Sequence, residues 1–150
     1  MTDSKDLWLD IPNCCTPATG LCTGGHPQPE HLMQAKEKGV RKVVNLCPPA
    51  ETPGYDEAAI VKQLGMEYVN IPIAGPADLT QDNARALAEA VADTCCGPIL
   101  VHCASGNRVG ALFALKAHFI EGKPVEDSIV DGREHGLKAM EPVVRQLLGA

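Results

Sequence analysis

Residues 98–120, PILVHCASGNRVGALFALKAHFI, constrain the fold more than any other part of the chain. PILVH is apolar almost throughout, the pattern of a strand covered on both faces; a half-buried strand would alternate. The stretch Asn107 to Glu121 carries Val109, Ala111, Leu112, Phe113, Leu115, Phe119 and Ile120 on nearly every side, which predicts a helix buried at the centre of the core. Gly122, Lys123 and Pro124 end it. A two-sided strand that feeds a buried helix within a few residues is the building unit of a parallel sheet.

The remaining segments repeat the alternation. RKVVNLC (41–47) and MEYVNIPI (66–73) read as strands, as does a shorter run near Ala18 to Thr23 and a weaker one at Leu7 to Ile11. Pro29 to Lys38 and Asp56 to Leu64 have helical composition, each followed by a glycine, Gly39 and Gly65. Thr80 is placed to cap a helix whose apolar face runs through Ala84, Leu87, Ala88 and Val91. Helices around Pro124 to His135 and Glu141 to Leu148 complete the chain. The expectation is one α/β domain over residues 1–150, with a mostly parallel central sheet of four to five strands flanked by helices on both faces. With hydrophobic residues at 45% and aromatics at only 3%, its core must be aliphatic.

A net charge of −6 and the lack of any Lys/Arg run disfavour nucleic acid or an anionic membrane as partner. No stretch is apolar long enough to span a bilayer, and the polar start MTDSKD lacks a secretory core, so the expected location is cytoplasmic. Seven cysteines without a signal peptide argue against a disulfide framework. They form two adjacent doublets, Cys14-Cys15 and Cys95-Cys96, rather than the spaced pairs a metal site wants, so no metal and no cofactor are expected. Most of these thiols read as small hydrophobes, Cys47 at a strand end most plainly.

The loop from Cys103 to Arg108 is the chemical centre. Where a strand turns into a helix, the first amides lack intrahelical partners and the helix dipole adds positive potential, so the place suits an anion. Gly106 permits close backbone approach, and Arg108 offers a planar fork for two oxyanion oxygens. Ala104, Ser105, Gly106, Asn107 and Arg108 are therefore the expected anion-binding residues, with Cys103 as a thiolate nucleophile facing a bound oxyanion or sulfur centre. His102 either supports the loop by orienting its backbone through a ring hydrogen bond or is packed and structurally inert. The plainer alternative makes Cys103 a core thiol and Arg108 a surface residue.

At HCASGNR the sequence resembles the cysteine-dependent protein tyrosine and dual-specificity phosphatases, whose loop reads His-Cys-x-x-Gly-x-x-Arg. His102, Cys103 and Gly106 match, but the arginine comes one residue early, with a four-residue gap more usual in rhodanese sulfurtransferases. GGHPQPEHLMQAKEKGVRKVVNL, YVNIPI, ILVHCASGNRVGALFAL and EHGLKAMEP together resemble a small bacterial phosphatase-like family associated with β-lactamase-hydrolase-like proteins. The resemblance covers roughly residues 18 to 148 and implies a protein tyrosine phosphatase-like fold carrying a short Cys-x4-Arg loop.

The resemblance further implies a phosphomonoester hydrolase, a protein tyrosine phosphatase that works through a phosphocysteine. Its substrate would be a phosphotyrosine-containing protein or a small aryl phosphate. Such chemistry wants an acid for the leaving oxygen, and the loop AGPADLTQD offers Asp78; Asp82, or no carboxylate at all, stays open beside it. Asp82 falls in a first helical turn, where an acid is explained by stability alone. Val109 stands where such phosphatases place a hydroxyl that helps expel the thiolate, which predicts a slow second step. Two alternatives remain: a sulfurtransferase with a persulfide on Cys103, and a phosphate-binding module with weak catalysis. The role of His135 and Glu134 in DGREHGLKAMEP is either to line the pocket or to end a helix.

Overall fold

The buried run at 98–102 forms the centre of a five-stranded sheet with strand order β1-β2-β5-β3-β4. The strands are β1 (Cys15–Ala18), β2 (Leu21–Gly24), β3 (Lys42–Asn45), β4 (Glu67–Asn70) and β5 (Ile99–His102). The computed structural model describes residues 9, 11, 13–18, 21–48, 56–92, 98–104 and 107–149, with the backbone alone at Pro17 and Ala18. β5 is parallel to both neighbours: Leu100 aligns with Cys22 of β2 and with Val43 of β3. The expected single strand at Ala18 to Thr23 divides between β1 and β2, which pair antiparallel. Only two residues connect them, and a link that short permits no parallel crossover. The suggested strand at Leu7 to Ile11 falls mostly outside the described residues; Leu9 and Ile11 are buried without strand structure.

Six α-helices cover the sheet: α1 (Pro29–Glu37), α2 (Glu57–Gln63), α3 (Gln81–Ala92), α4 (Asn107–Leu115), α5 (Val125–Glu134) and α6 (Glu141–Leu147). Successive side chains of a strand point to opposite faces. Cys22, Val43 and Leu100 accordingly pack with Leu32 and Ala35 of α1 and Val61 of α2. Val44, Ile99 and Val101 pack with α3 and α4 on the other face. Asp56 caps α2 by accepting from the Ala59 amide at 3.1 Å, and Thr80 accepts from the Asn83 amide at 3.2 Å to cap α3.

β2 and β3 exit toward α1 and α2, whereas β5 between them exits toward α4 on the opposite face. Diverging connections open a crevice at the carboxyl end of β5, the place where open α/β sheets bind ligands.

Helix α4 is buried from Val109 through Leu115, as its apolar girth demands. Its continuation, Lys116–Ile120, widens into a π-helical turn, and there the expectation of burial is corrected: Phe119 and Ile120 lie at the surface. Among the described residues no helix is long and apolar enough to cross a membrane.

Gly110 and Gly132 mark where α4 and α5 nearly touch. A Cβ on Gly110 would lie 2.0 Å from the Leu137 amide nitrogen and 2.7 Å from the Gly132 carbonyl oxygen, both backbone atoms that cannot rotate away. Gly110→Ala is expected to lose about 1–3 kcal/mol, as overpacked cores do. The loss should appear as a lower urea midpoint at unchanged slope. An unchanged midpoint would show that the two helices are not in contact at that point.

Candidate active site

The backbone around Cys103 is fastened on both sides. On one side the Cys103 amide donates to the Gly24 carbonyl at 3.1 Å, and the His26 amide donates to the Ala104 carbonyl at 3.3 Å. On the other, the Leu46 amide donates to the His102 carbonyl at 2.8 Å. The ladder of β5 thus continues past its end and places the cysteine at the crevice. Cys103 is fully enclosed.

That loop is anchored at its far end by Asn107. Its Oδ1 accepts from the amides of Lys138 (2.9 Å) and Met140 (3.3 Å). The GLKAMEP segment, whose role the sequence leaves open, is thus a buttress for the start of α4. Ser105 and Gly106, expected to bind phosphate, lie outside the described residues. Ala104 and Asn107 flank them as expected, and the first turn of α4 supplies the amides and dipole that favour an anion.

Arg108 sits in that first turn, half-buried. Its Nη1 donates to the Ile73 carbonyl at 2.6 Å, and its Nη2 approaches the Cys47 sulfur at 3.8 Å. Cys47 is held in place by a small amide network. Its own N–H donates to Asn45 Oδ1 (2.8 Å), while Asn70 Nδ2 donates to the carbonyls of Asn45 (2.8 Å) and Cys47 (2.9 Å). An oxyanion that takes the guanidinium fork exchanges these protein acceptors for its own oxygens.

Asp78 ends a short 3-10 turn, Pro76–Asp78, beside this arginine. Its Oδ2 accepts from the Ala74 amide at 2.9 Å. The Ile73 carbonyl and the Ala74 N–H belong to one peptide group, whose oxygen and hydrogen point in opposite directions. Arg108 and Asp78 therefore grip one peptide unit from its two sides. Asp82 instead is exposed in the first turn of α3 and pairs with Arg85 at 3.6 Å.

His102 is buried, and its Nε2 lies 2.5 Å from Oε2 of Glu57, itself buried in the first turn of α2. Nδ1 of the same ring faces the Cys103 carbonyl at 3.4 Å. The ring thus lies between the Glu57 carboxylate and the loop backbone. Sequence reading missed Glu57, because an acid after Asp56 at a helix start looks like an ordinary first-turn residue. His26 Nδ1 stands 4.0 Å from the other oxygen of Glu57.

Among the described thiols, Cys14 and Cys22 sit elsewhere. Cys22 faces α1 and α2, its sulfur 3.7 Å from that of Cys14. That contact holds the Cys14 thiol down at about 7, and contact and burial together push the Cys22 thiol up. His135 stacks on Phe113 of α4, with ring centroids 4.0 Å apart, and its carbonyl accepts from Thr23 Oγ1 at 3.3 Å. It ties α4 to β2.

A cysteine at the carboxyl end of a central parallel strand, with an arginine in the first turn of the next helix, is an arrangement shared with the cysteine-dependent phosphatases. Residues 18–119 match the phosphatase-like domain of β-lactamase hydrolase-like proteins, and the chain belongs to that family. It is similar to the β-lactamase hydrolase-like protein of Xylella fastidiosa, 33% identical over 121 residues, which is 77% of this chain and 27% of that protein. It is 31% identical over 99 residues to the inositol diphosphatase DSP3 of Arabidopsis thaliana, covering 62% of this chain and 47% of that one. The chain thus spans about a quarter to a half of these relatives' length. Its fold is shared with P. aeruginosa TpbA in complex with pTyr, at a TM-score of 0.65 and 16% identity, over 96% of this chain and 90% of that one. Family membership disfavours the sulfurtransferase reading that loop length had raised.

Burial holds the pKa of His135 below its ordinary 6.5. The unfolded chain therefore binds the proton first as pH falls, so stability is fully present above 6.5 and declines as pH drops below it toward the folded-state value. Urea midpoints measured across that interval should fall less steeply in His135→Gln than in the native protein; equal slopes would contradict the assignment.

Proposed function

We propose that the protein is a phosphomonoester hydrolase acting on phosphotyrosine or a similar aryl phosphate through a phosphocysteine. The observation that carries the reading is the fastening of Cys103 and Arg108 to opposite ends of one short loop at the sheet's switch point. In the first step the Cys103 thiolate attacks phosphorus and the bond from phosphorus to the leaving oxygen breaks. Arg108 and the loop amides of Ala104 to Arg108 balance the equatorial oxygens, and Asp78 gives its proton to the leaving oxygen. In the second step water attacks phosphorus, the P–S bond breaks, and the water's proton returns to Asp78.

Asp78 serves as acid by releasing the Ala74 amide, a neutral hydrogen bond worth about 0.5–1.5 kcal/mol net. The exchange couples to Arg108, which must let go of the same peptide group to take the phosphoryl oxygens. A monoester is favoured over a heavily phosphorylated inositol by the charge of −6 and the absence of a Lys/Arg run.

Val109 is buried and has no hydroxyl to assist departure of the thiolate, so the second step is rate-limiting. Rapid-quench experiments with an aryl phosphate are expected to show a burst of alcohol ahead of steady turnover. Cys103→Ser should abolish turnover while leaving vanadate binding measurable, and Arg108→Lys should cost about 10²–10³ in rate. Turnover by Cys103→Ser would end the covalent reading. Hydrolysis of an inositol diphosphate with a higher kcat/KM than a phosphotyrosine peptide would replace the aryl substrate class.

A further inference from the structure

We propose that His26, Glu57 and His102 form a site for one divalent transition ion of the zinc class, directly behind the Cys103 loop. The three ligating groups come from three separate elements: the segment after β2, the first turn of α2, and the end of β5. Their ligand atoms all lie within 4.8 Å of one another. The inference stands apart from the hydrolase reading, since the ion takes no step in that chemistry.

The surroundings suit an ion. The side chains of Glu57 and His102 are 4% and 0% exposed, while that of His26, at 19%, leaves one way in for the ion and its completing waters. Oε1 of Glu57 is buried and accepts no hydrogen bond among the described residues. A buried carboxylate oxygen without a donor is costly, and a cation satisfies it. The two imidazole planes are tilted by 51° with centroids 5.3 Å apart, so they address the shared carboxylate from different directions. His102 Nδ1 faces the Cys103 carbonyl, the second-layer contact by which metal-bound histidines are commonly oriented.

The distances lie close to what an ion needs. Zinc binds imidazole nitrogen and carboxylate oxygen at about 2.0–2.2 Å, so tetrahedral neighbours stand roughly 3.3–3.5 Å apart. The His102–Glu57 contact of 2.5 Å must widen and the His26–Glu57 distance of 4.0 Å must shorten. The ion replaces the proton that Nε2 and Oε2 share at 2.5 Å, and that proton leaves to solvent. Two imidazoles and one carboxylate select a borderline ion over Ca²⁺ or Mg²⁺, which prefer all-oxygen shells.

The test is a Co²⁺ titration of the metal-stripped full chain, followed by displacement with Zn²⁺. One equivalent of Co²⁺ should give visible d–d bands without thiolate-to-cobalt charge transfer, bleached by Zn²⁺ and unchanged in Cys103→Ser. His26→Ala, at a partly exposed position that folding tolerates, should weaken binding by at least about tenfold, since loss of a ligand costs no less than loss of its support. Absence of bands at one equivalent, intense charge-transfer absorption, or affinity unchanged in His26→Ala would each overturn the site. In the first or last case Glu57 serves only to position His102.

Discussion

The hydrogen bonds that carry the sheet ladder past the end of β5 are what the rest of the site depends on. Cys103 N–H to Gly24 and Leu46 N–H to the His102 carbonyl come from strands on opposite sides of β5. They fix the backbone of the cysteine at the crevice from both edges of the strand. The apolar run at 98–102 is the sequence-level cause, since only a strand flanked on both edges and covered on both faces receives such bonds.

Arg108 and Asp78 grip the Ile73–Ala74 peptide from its two sides, so the two loops share one anchoring point. Behind the loop, Glu57 and His102 form a buried pair whose loss would leave a polar group uncompensated in the core. The loop thus has the buried Glu57–His102 pair behind it and the Arg108 contacts in front.

Much of this was legible in the sequence because it depends on local pattern. β5, the buried part of α4, the Thr80 cap and the placement of Cys103 and Arg108 follow from apolar runs, caps and a strand-to-helix turn. What sequence could not supply are contacts between distant positions. Glu57 reaches His102 across 45 residues. His26, Glu57 and His102 likewise lie far apart in sequence and meet only through the sheet order. The hairpin of β1 and β2 was read as one strand because its short connection carries too little turn signal. Phe119 and Ile120 were placed inside because helical periodicity assumes 3.6 residues per turn, and the π-helical turn rotates them outward.

The central claim is that the Cys103 sulfur becomes covalently phosphorylated, and trapping it tests that most directly. Acid quench of the protein during turnover of an aryl phosphate, then peptide mass spectrometry, should find one added phosphoryl group on the peptide carrying Cys103. Hydrolysis that proceeds with that peptide unmodified at every quench time would contradict the account.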